Sequence, residues 1–138
     1  LILLAIIIFT GIHSSRRIHL KFHELPEEFA NALPVYFILR LLFLCSYEIF
    51  FRGILLFSCA EWIGIIPAIA ISTTLTVLVH WFTNKREMIG CVPFGIILSI
   101  VCLELHAVWP AIILHIALSF SYELPPVKHF IFYLKLSK

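Results

Sequence analysis

Four ionisable side chains lie inside apolar stretches, where groups able to do chemistry are uncommon. Glu48 and Arg52 belong to SYEIFFRGILLF. His80 falls in STTLTVLVHWF, and His115 lies within VWPAIILHIALSF. A carboxylate with two imidazoles can activate water as a general base or can bind a divalent metal ion. Ser119 follows His115 by one helical turn and can add a hydrogen bond on the same face.

Glu48 and Arg52 are four residues apart and share one face of a helix. Burying a lone charge costs several kcal/mol, so we expect the pair to face the interior of a helix bundle. Two interpretations remain open, an internal salt bridge that fixes helix packing and a functional site. A metal site built from Glu48, His80 and His115 is a weaker alternative, and no other cofactor is expected.

The composition indicates that these groups lie in a membrane protein. The chain has 138 residues, of which 62% are hydrophobic and 13% charged, about half the charge of a soluble domain. Its net charge of +2 is too small to indicate a nucleic-acid partner. The four cysteines form no CxxC pair and are interpreted as apolar packing residues.

Five apolar segments are predicted to be helices, at about 1–12, 34–57, 65–82, 89–105 and 108–122. They predict an all-α, polytopic transmembrane bundle with four core helices and the remnant of an upstream helix, in a chain trimmed from a longer protein. Pro67 and Pro110 suit first helical turns, and Pro125–Pro126 is expected to end the fifth helix. The predicted division is 1–33 (helix remnant and amphipathic loop), 34–123 (membrane core) and 124–138 (tail).

The basic residues predict the orientation in the membrane. Eight lysines and arginines lie in 13–33, 83–88 and the tail, and the opposite loops have none. Because basic loops stay in the cytoplasm, these three segments are predicted to be cytoplasmic. Arg40, near that side, is expected to extend toward the lipid headgroups. His19 and His23, in the first loop, are assigned to an interfacial amphipathic segment.

Taken in order, YEIFFRGIL, a helix ending in VLVH, and PFGIILSIVCLELHAVWPAIILHIALS resemble a known family. It is the CPBP family, the CAAX-protease and bacteriocin-processing (Abi) group of glutamic-type intramembrane endopeptidases. The resemblance covers about residues 33–122. It implies a four-helix catalytic core that opens toward membrane lipid. It also implies substrates that are C-terminal tails of lipidated proteins, or leader and bacteriocin-like peptides.

The resemblance also implies residue roles. The family motif E-E-x-x-x-R places its second glutamate at Glu48 and its arginine at Arg52. The motif F-x-x-x-H ends at His80, and H-x-x-x-N (or D) begins at His115. We therefore expect Glu48 and His80 to activate water, Arg52 to orient Glu48, and His115 with Ser119 to stabilise the oxyanion.

Three positions differ from these motifs. Tyr47 replaces the first glutamate, Thr76 replaces the phenylalanine, and Ser119 replaces the asparagine or aspartate. Tyrosine is a poor base at neutral pH, whereas serine keeps a hydrogen-bond donor. The leading hypothesis is an intramembrane endopeptidase. The alternative is a catalytically impaired relative that acts as a peptide-binding or bacteriocin-immunity membrane protein.

Overall fold

The computed structural model describes residues 2–15, 28–82 and 85–136, and every regular element in these ranges is helical. The elements are α1 (Ile2–Ser15), α2 (Glu28–Glu48), a π-helix (Ile49–Leu56), α3 (Phe57–Ile63), α4 (Ile65–Val79), a 3₁₀ turn (His80–Phe82), α5 (Lys85–Leu105) and α6 (Trp109–Leu136). The all-α prediction is therefore confirmed for the described residues. The loop with His19 and His23, and positions 83–84, lie outside them.

The second predicted helix ends later than expected. The segment predicted to end near Phe57 continues through the π-helix and α3 to Ile63. Gly64 then separates α3 from α4 with φ of 90°. Glycine has no Cβ and adopts this positive φ without strain, which makes it suited to the break.

Pro125–Pro126 does not end the last helix, and that prediction is wrong. The helix α6 passes through both prolines and continues to Leu136. Proline removes a backbone donor, but its φ near −65° is compatible with helix. Pro126 and Val127 are buried, so continued packing offsets the lost hydrogen bonds. Pro67 and Pro110 lie in first helical turns as predicted.

The chain divides into two compact units. The first comprises Leu1–Phe43 and Leu114–Lys138, and the second comprises Leu44–Ile113. In the first unit, a Cβ at Gly11 would lie 2.7 Å from the Cβ of Ser121, so this glycine permits the close approach of α1 to α6. In the second unit, α4 and α5 make the most extensive contact, and the π-helix packs on both.

Much of the apolar surface is exposed. Among the described residues, two stretches, Asn31–Ile63 and Glu87–Leu105, are long and apolar enough to cross a membrane. The helices Ile2–His13 and Ile65–Val79 are apolar but shorter. Large apolar side chains project from several of these elements, with Trp62 87% exposed. Soluble monomers rarely expose so many large apolar side chains, and this exposure is what a lipid environment favours.

Candidate active site

The Glu48–Arg52 ion pair forms in the second unit as the spacing predicts. Glu48 ends α2 and Arg52 belongs to the π-helix. The Arg52 Nε lies 3.5 Å from Glu48 Oε2, and the two residues are 1% and 0% exposed. Removing two charges from solvent costs several kcal/mol each, so the surrounding hydrogen bonds decide whether the pair is tolerated.

The helix that follows Glu48 is of the π type from Ile49 to Leu56. Hydrogen bonds in such a helix close over five residues, and π-helical turns are rare and frequently lie at functional sites. A bond from α4 supports this segment, because the Ser72 hydroxyl donates to the Phe51 carbonyl over 3.1 Å. The apolar pattern of IFFRGILL carries no signal that distinguishes a π-helix from an α-helix.

The Arg52 guanidinium is held by groups from three elements. Beside its ion pair with Glu48, its Nη1 donates to the Thr76 hydroxyl over 2.9 Å. Its Nη2 lies against Gly95 of α5, where an added Cβ would be 3.2 Å away. These contacts give the buried cation both an acceptor and a close steric neighbour. The missing side chain at Gly95 is what leaves room for the guanidinium.

Replacing Gly95 by alanine is expected to destabilise the protein by about 1–3 kcal/mol, because the new methyl overpacks Arg52 and Thr73. Gly90 lies on the same helix with no atom within 4 Å of a built Cβ, and it provides the control. Gly90→Ala is expected to be stabilising by about 0.5–1 kcal/mol through helix propensity. Thermal unfolding in detergent measures both. Equal shifts for the two variants would contradict the close contact at Gly95.

His80 lies where α4 ends, and this helix end orients its ring. With φ of −87° and ψ of 5°, His80 turns its backbone N–H toward the carbonyls of Val77 and Leu78. The carbonyl of Thr76 instead meets the His80 Nδ1 at 2.9 Å. A carbonyl can only accept, so Nδ1 carries the proton and Nε2 is the basic nitrogen of the neutral ring.

Tyr47 lies among these groups, in the position that the family motif assigns to glutamate. It is 7% exposed, and its ring packs on Phe51 with centroids 4.5 Å apart. The Tyr47 and His80 rings also meet edge to face, with their centroids 6.3 Å apart. The Tyr47 side chain interacts with Thr76 as well. These contacts define one group, the Glu48 cluster, made of Tyr47, Glu48, Arg52, Thr76 and His80.

His115 and Ser119 belong to α6 and to the first unit. The Ser119 hydroxyl donates to Glu123 Oε1 over 3.0 Å and accepts from Arg40 Nε over 3.2 Å. In this arrangement the Ser119 proton is directed to a carboxylate. The predicted partnership of Ser119 and His115 at an oxyanion stays a prediction.

A polar network that the sequence motifs do not predict surrounds Ser119 in the first unit. Arg40 Nη2 pairs with Glu123 Oε1 at 3.0 Å, and the Tyr36 hydroxyl donates to Glu123 Oε2 over 3.1 Å. Arg40 is predicted to extend toward the headgroups, and its side chain is 35% exposed, but the sequence does not predict this ion pair. Helical spacing offered a signal, because Glu123 lies one turn beyond Ser119 on the same face.

Across the described residues, no group of three or more His, Cys, Asp or Glu side chains is arranged to hold a metal ion. The metal site predicted from Glu48, His80 and His115 stays a prediction, and metal analysis of the purified protein tests it.

Comparison with known proteins identifies the family. The model of the type II CAAX prenyl endopeptidase Rce1-like family matches residues 29–121, more than half of the chain. No curated protein and no solved structure matches. The matched range includes the Glu48 cluster together with His115 and Ser119, and it confirms the family resemblance found in the motifs. The chain therefore belongs to the Rce1-like family of type II CAAX prenyl endopeptidases, which are membrane-embedded proteases.

Proposed function

We propose that this protein is an intramembrane endopeptidase in which Glu48 and His80 activate water. The observation that carries the proposal is the Glu48 cluster, which places a buried carboxylate and an oriented imidazole in one unit. The water oxygen attacks the scissile carbonyl carbon while the base takes a water proton. The C–N bond then breaks, and the departing nitrogen takes that proton.

The other predicted residues have supporting roles in this proposal. Arg52 fixes the orientation of Glu48 through the buried ion pair. The family resemblance assigns stabilisation of the oxyanion to His115 and Ser119, and this role requires Ser119 to turn its hydroxyl away from Glu123.

The proposed substrate is the C-terminal tail of a prenylated protein, and a leader or bacteriocin-like peptide is the other substrate class. The family description supports the first. A groove of about 490 Å³ between α4 and α5 also supports it, because its size falls in the range of small-ligand sites and its lining is mostly apolar. The lining includes Ile66, Val77, Trp81, Met88 and Ile96. Such a groove can accept a lipid chain.

The proposed setting is a polytopic bundle with its core at 34–123. The exposed apolar helices support it. The basic segments at 13–33 and 83–88 and the tail at 124–138 are assigned to the cytoplasmic side by their lysines and arginines.

A second candidate function is supported by Tyr47. A phenol stands in place of the motif's first glutamate, and its ring lies against His80. In this interpretation the ion pair is structural, and the protein binds peptides or confers bacteriocin immunity without cleaving them.

Cleavage of a prenylated CAAX peptide in proteoliposomes distinguishes the two functions. His80→Ala is expected to lower the cleavage rate by about 10²–10⁴-fold, since a positioned general base contributes that much. His106→Asn is the control, because His106 is exposed in the α5–α6 turn at φ of 48°, which asparagine tolerates. Equal inertness of the native protein and His80→Ala would reject the endopeptidase and favour the binding protein.

A further inference from the structure

Thr76 makes contacts with three members of the Glu48 cluster. Its hydroxyl accepts from Arg52 Nη1, and its carbonyl meets the His80 Nδ1, each over 2.9 Å. Its side chain also interacts with Tyr47. We propose that Thr76 is the positioning residue that holds Arg52, and through it Glu48, in register with His80. The inference rests on the proposed function.

Neighbouring groups determine which hydrogen bond the Thr76 hydroxyl donates and which it accepts. It donates its single proton to the Ser72 carbonyl over 2.8 Å, one turn back along α4. Its lone pairs are therefore left for the Arg52 guanidinium, which has only donors. A hydroxyl in this state cannot turn without breaking a bond to a buried cation. The side chain thus fixes the guanidinium against α4.

The carbonyl of Thr76 performs the second part of the role. Because His80 leaves the α-helical path, its backbone N–H is directed to Val77 and Leu78. The Thr76 carbonyl consequently lacks its usual backbone donor and accepts from the imidazole ring. Thr76 therefore binds Arg52, the partner of Glu48, with its side-chain hydroxyl. It binds the His80 imidazole with its main-chain carbonyl.

The small volume of Thr76 also matters in the Glu48 cluster. Thr76 is buried and lies beside the Tyr47 ring, which itself packs on both Phe51 and His80. A large side chain at position 76 would compete with that ring for space. The small β-branched residue leaves room for the phenol and still supplies a hydroxyl. The contacts of Thr76 with Arg52 and Ser72 thus depend on its hydroxyl, and its place beside the Tyr47 ring depends on its small volume.

The test compares Thr76→Val, which removes the hydroxyl at nearly constant shape, with Thr76→Ser, which keeps it. In the peptide assay Thr76→Val is expected to lower kcat about 10–100-fold with KM unchanged, and Thr76→Ser to retain most of the native kcat. Ser99→Ala is the control, because that buried hydroxyl donates only within its own helix, to the Gly95 carbonyl. Equal losses in Thr76→Val and Thr76→Ser, or none in Thr76→Val, would overturn the inference.

A second measurement does not need activity. Thermal unfolding of Thr76→Val, Arg52→Met and the double variant forms a double-mutant cycle. We expect the double variant to be more stable than the sum of the two single losses predicts. Additive losses would overturn it. If the native protein does not cleave the peptide but the stability losses are non-additive, the proposed protease function is rejected. The contact by which Thr76 positions Arg52 is then still supported.

Discussion

Glu48→Gln is expected to abolish peptide cleavage and to lower the free energy of unfolding by about 3–5 kcal/mol. The substitution keeps the shape of the side chain but leaves the Arg52 guanidinium buried at 1% exposure without its counter-charge. Thr76 remains as a neutral acceptor for Nη1, and one hydrogen bond does not replace a carboxylate. Cleavage is lost because the amide of the introduced glutamine cannot take a proton from water. Denaturant unfolding and peptide hydrolysis, measured on the same preparation, check the two effects.

The control is the double variant Glu48→Met with Arg52→Met. Replacing a whole buried ion pair by apolar residues of similar volume is often neutral or stabilising. We therefore expect the double variant to recover most of the stability that Glu48→Gln loses, while its cleavage stays at background. Cleavage by the double variant would show that Glu48 is not the base. A native-like unfolding midpoint for Glu48→Gln would show that the pair does not carry buried charge.

Tyr47→Glu is expected to act in opposite directions on activity and stability. We expect the cleavage rate to rise at least about tenfold, because a carboxylate beside Glu48 and His80 adds the base that a phenol does not supply. We expect stability to fall by about 3–5 kcal/mol, because removing the ring leaves space beside Phe51 and His80. The peptide assay and thermal unfolding measure the two changes.

Tyr47→Phe is the matched control for that experiment. It keeps the ring contacts and removes only the hydroxyl, so native rate and near-native stability are expected. A gain of activity in Tyr47→Glu from an inert native protein would assign the native chain to the binding function. A loss of activity in Tyr47→Phe would instead show that the phenol itself takes part in the chemistry.

The positions of the helices were predictable because each long apolar run has to be shielded from water by protein or lipid. Five predicted segments correspond to helices in the described residues. Their ends were less predictable. The π-helix at Ile49–Leu56 has no distinguishing residue pattern, and the extension of α6 past Pro125–Pro126 depends on burial of Pro126 and Val127. The π-helix and the extension of α6 both depend on tertiary packing, which local helix propensity does not predict.

The Glu48–Arg52 contact was predictable from spacing, because residues four apart in a continuous helical segment lie close together. The motifs around it were also sufficient to indicate the family that the match to residues 29–121 shows. The support for that pair was not predictable, because Thr76 is 24 residues from Arg52 along the chain and Gly95 comes from another helix. The Tyr36–Glu123 bond joins residues 87 apart and was missed for the same reason. Helical periodicity relates residues within one helix, and it does not say which faces of different helices meet.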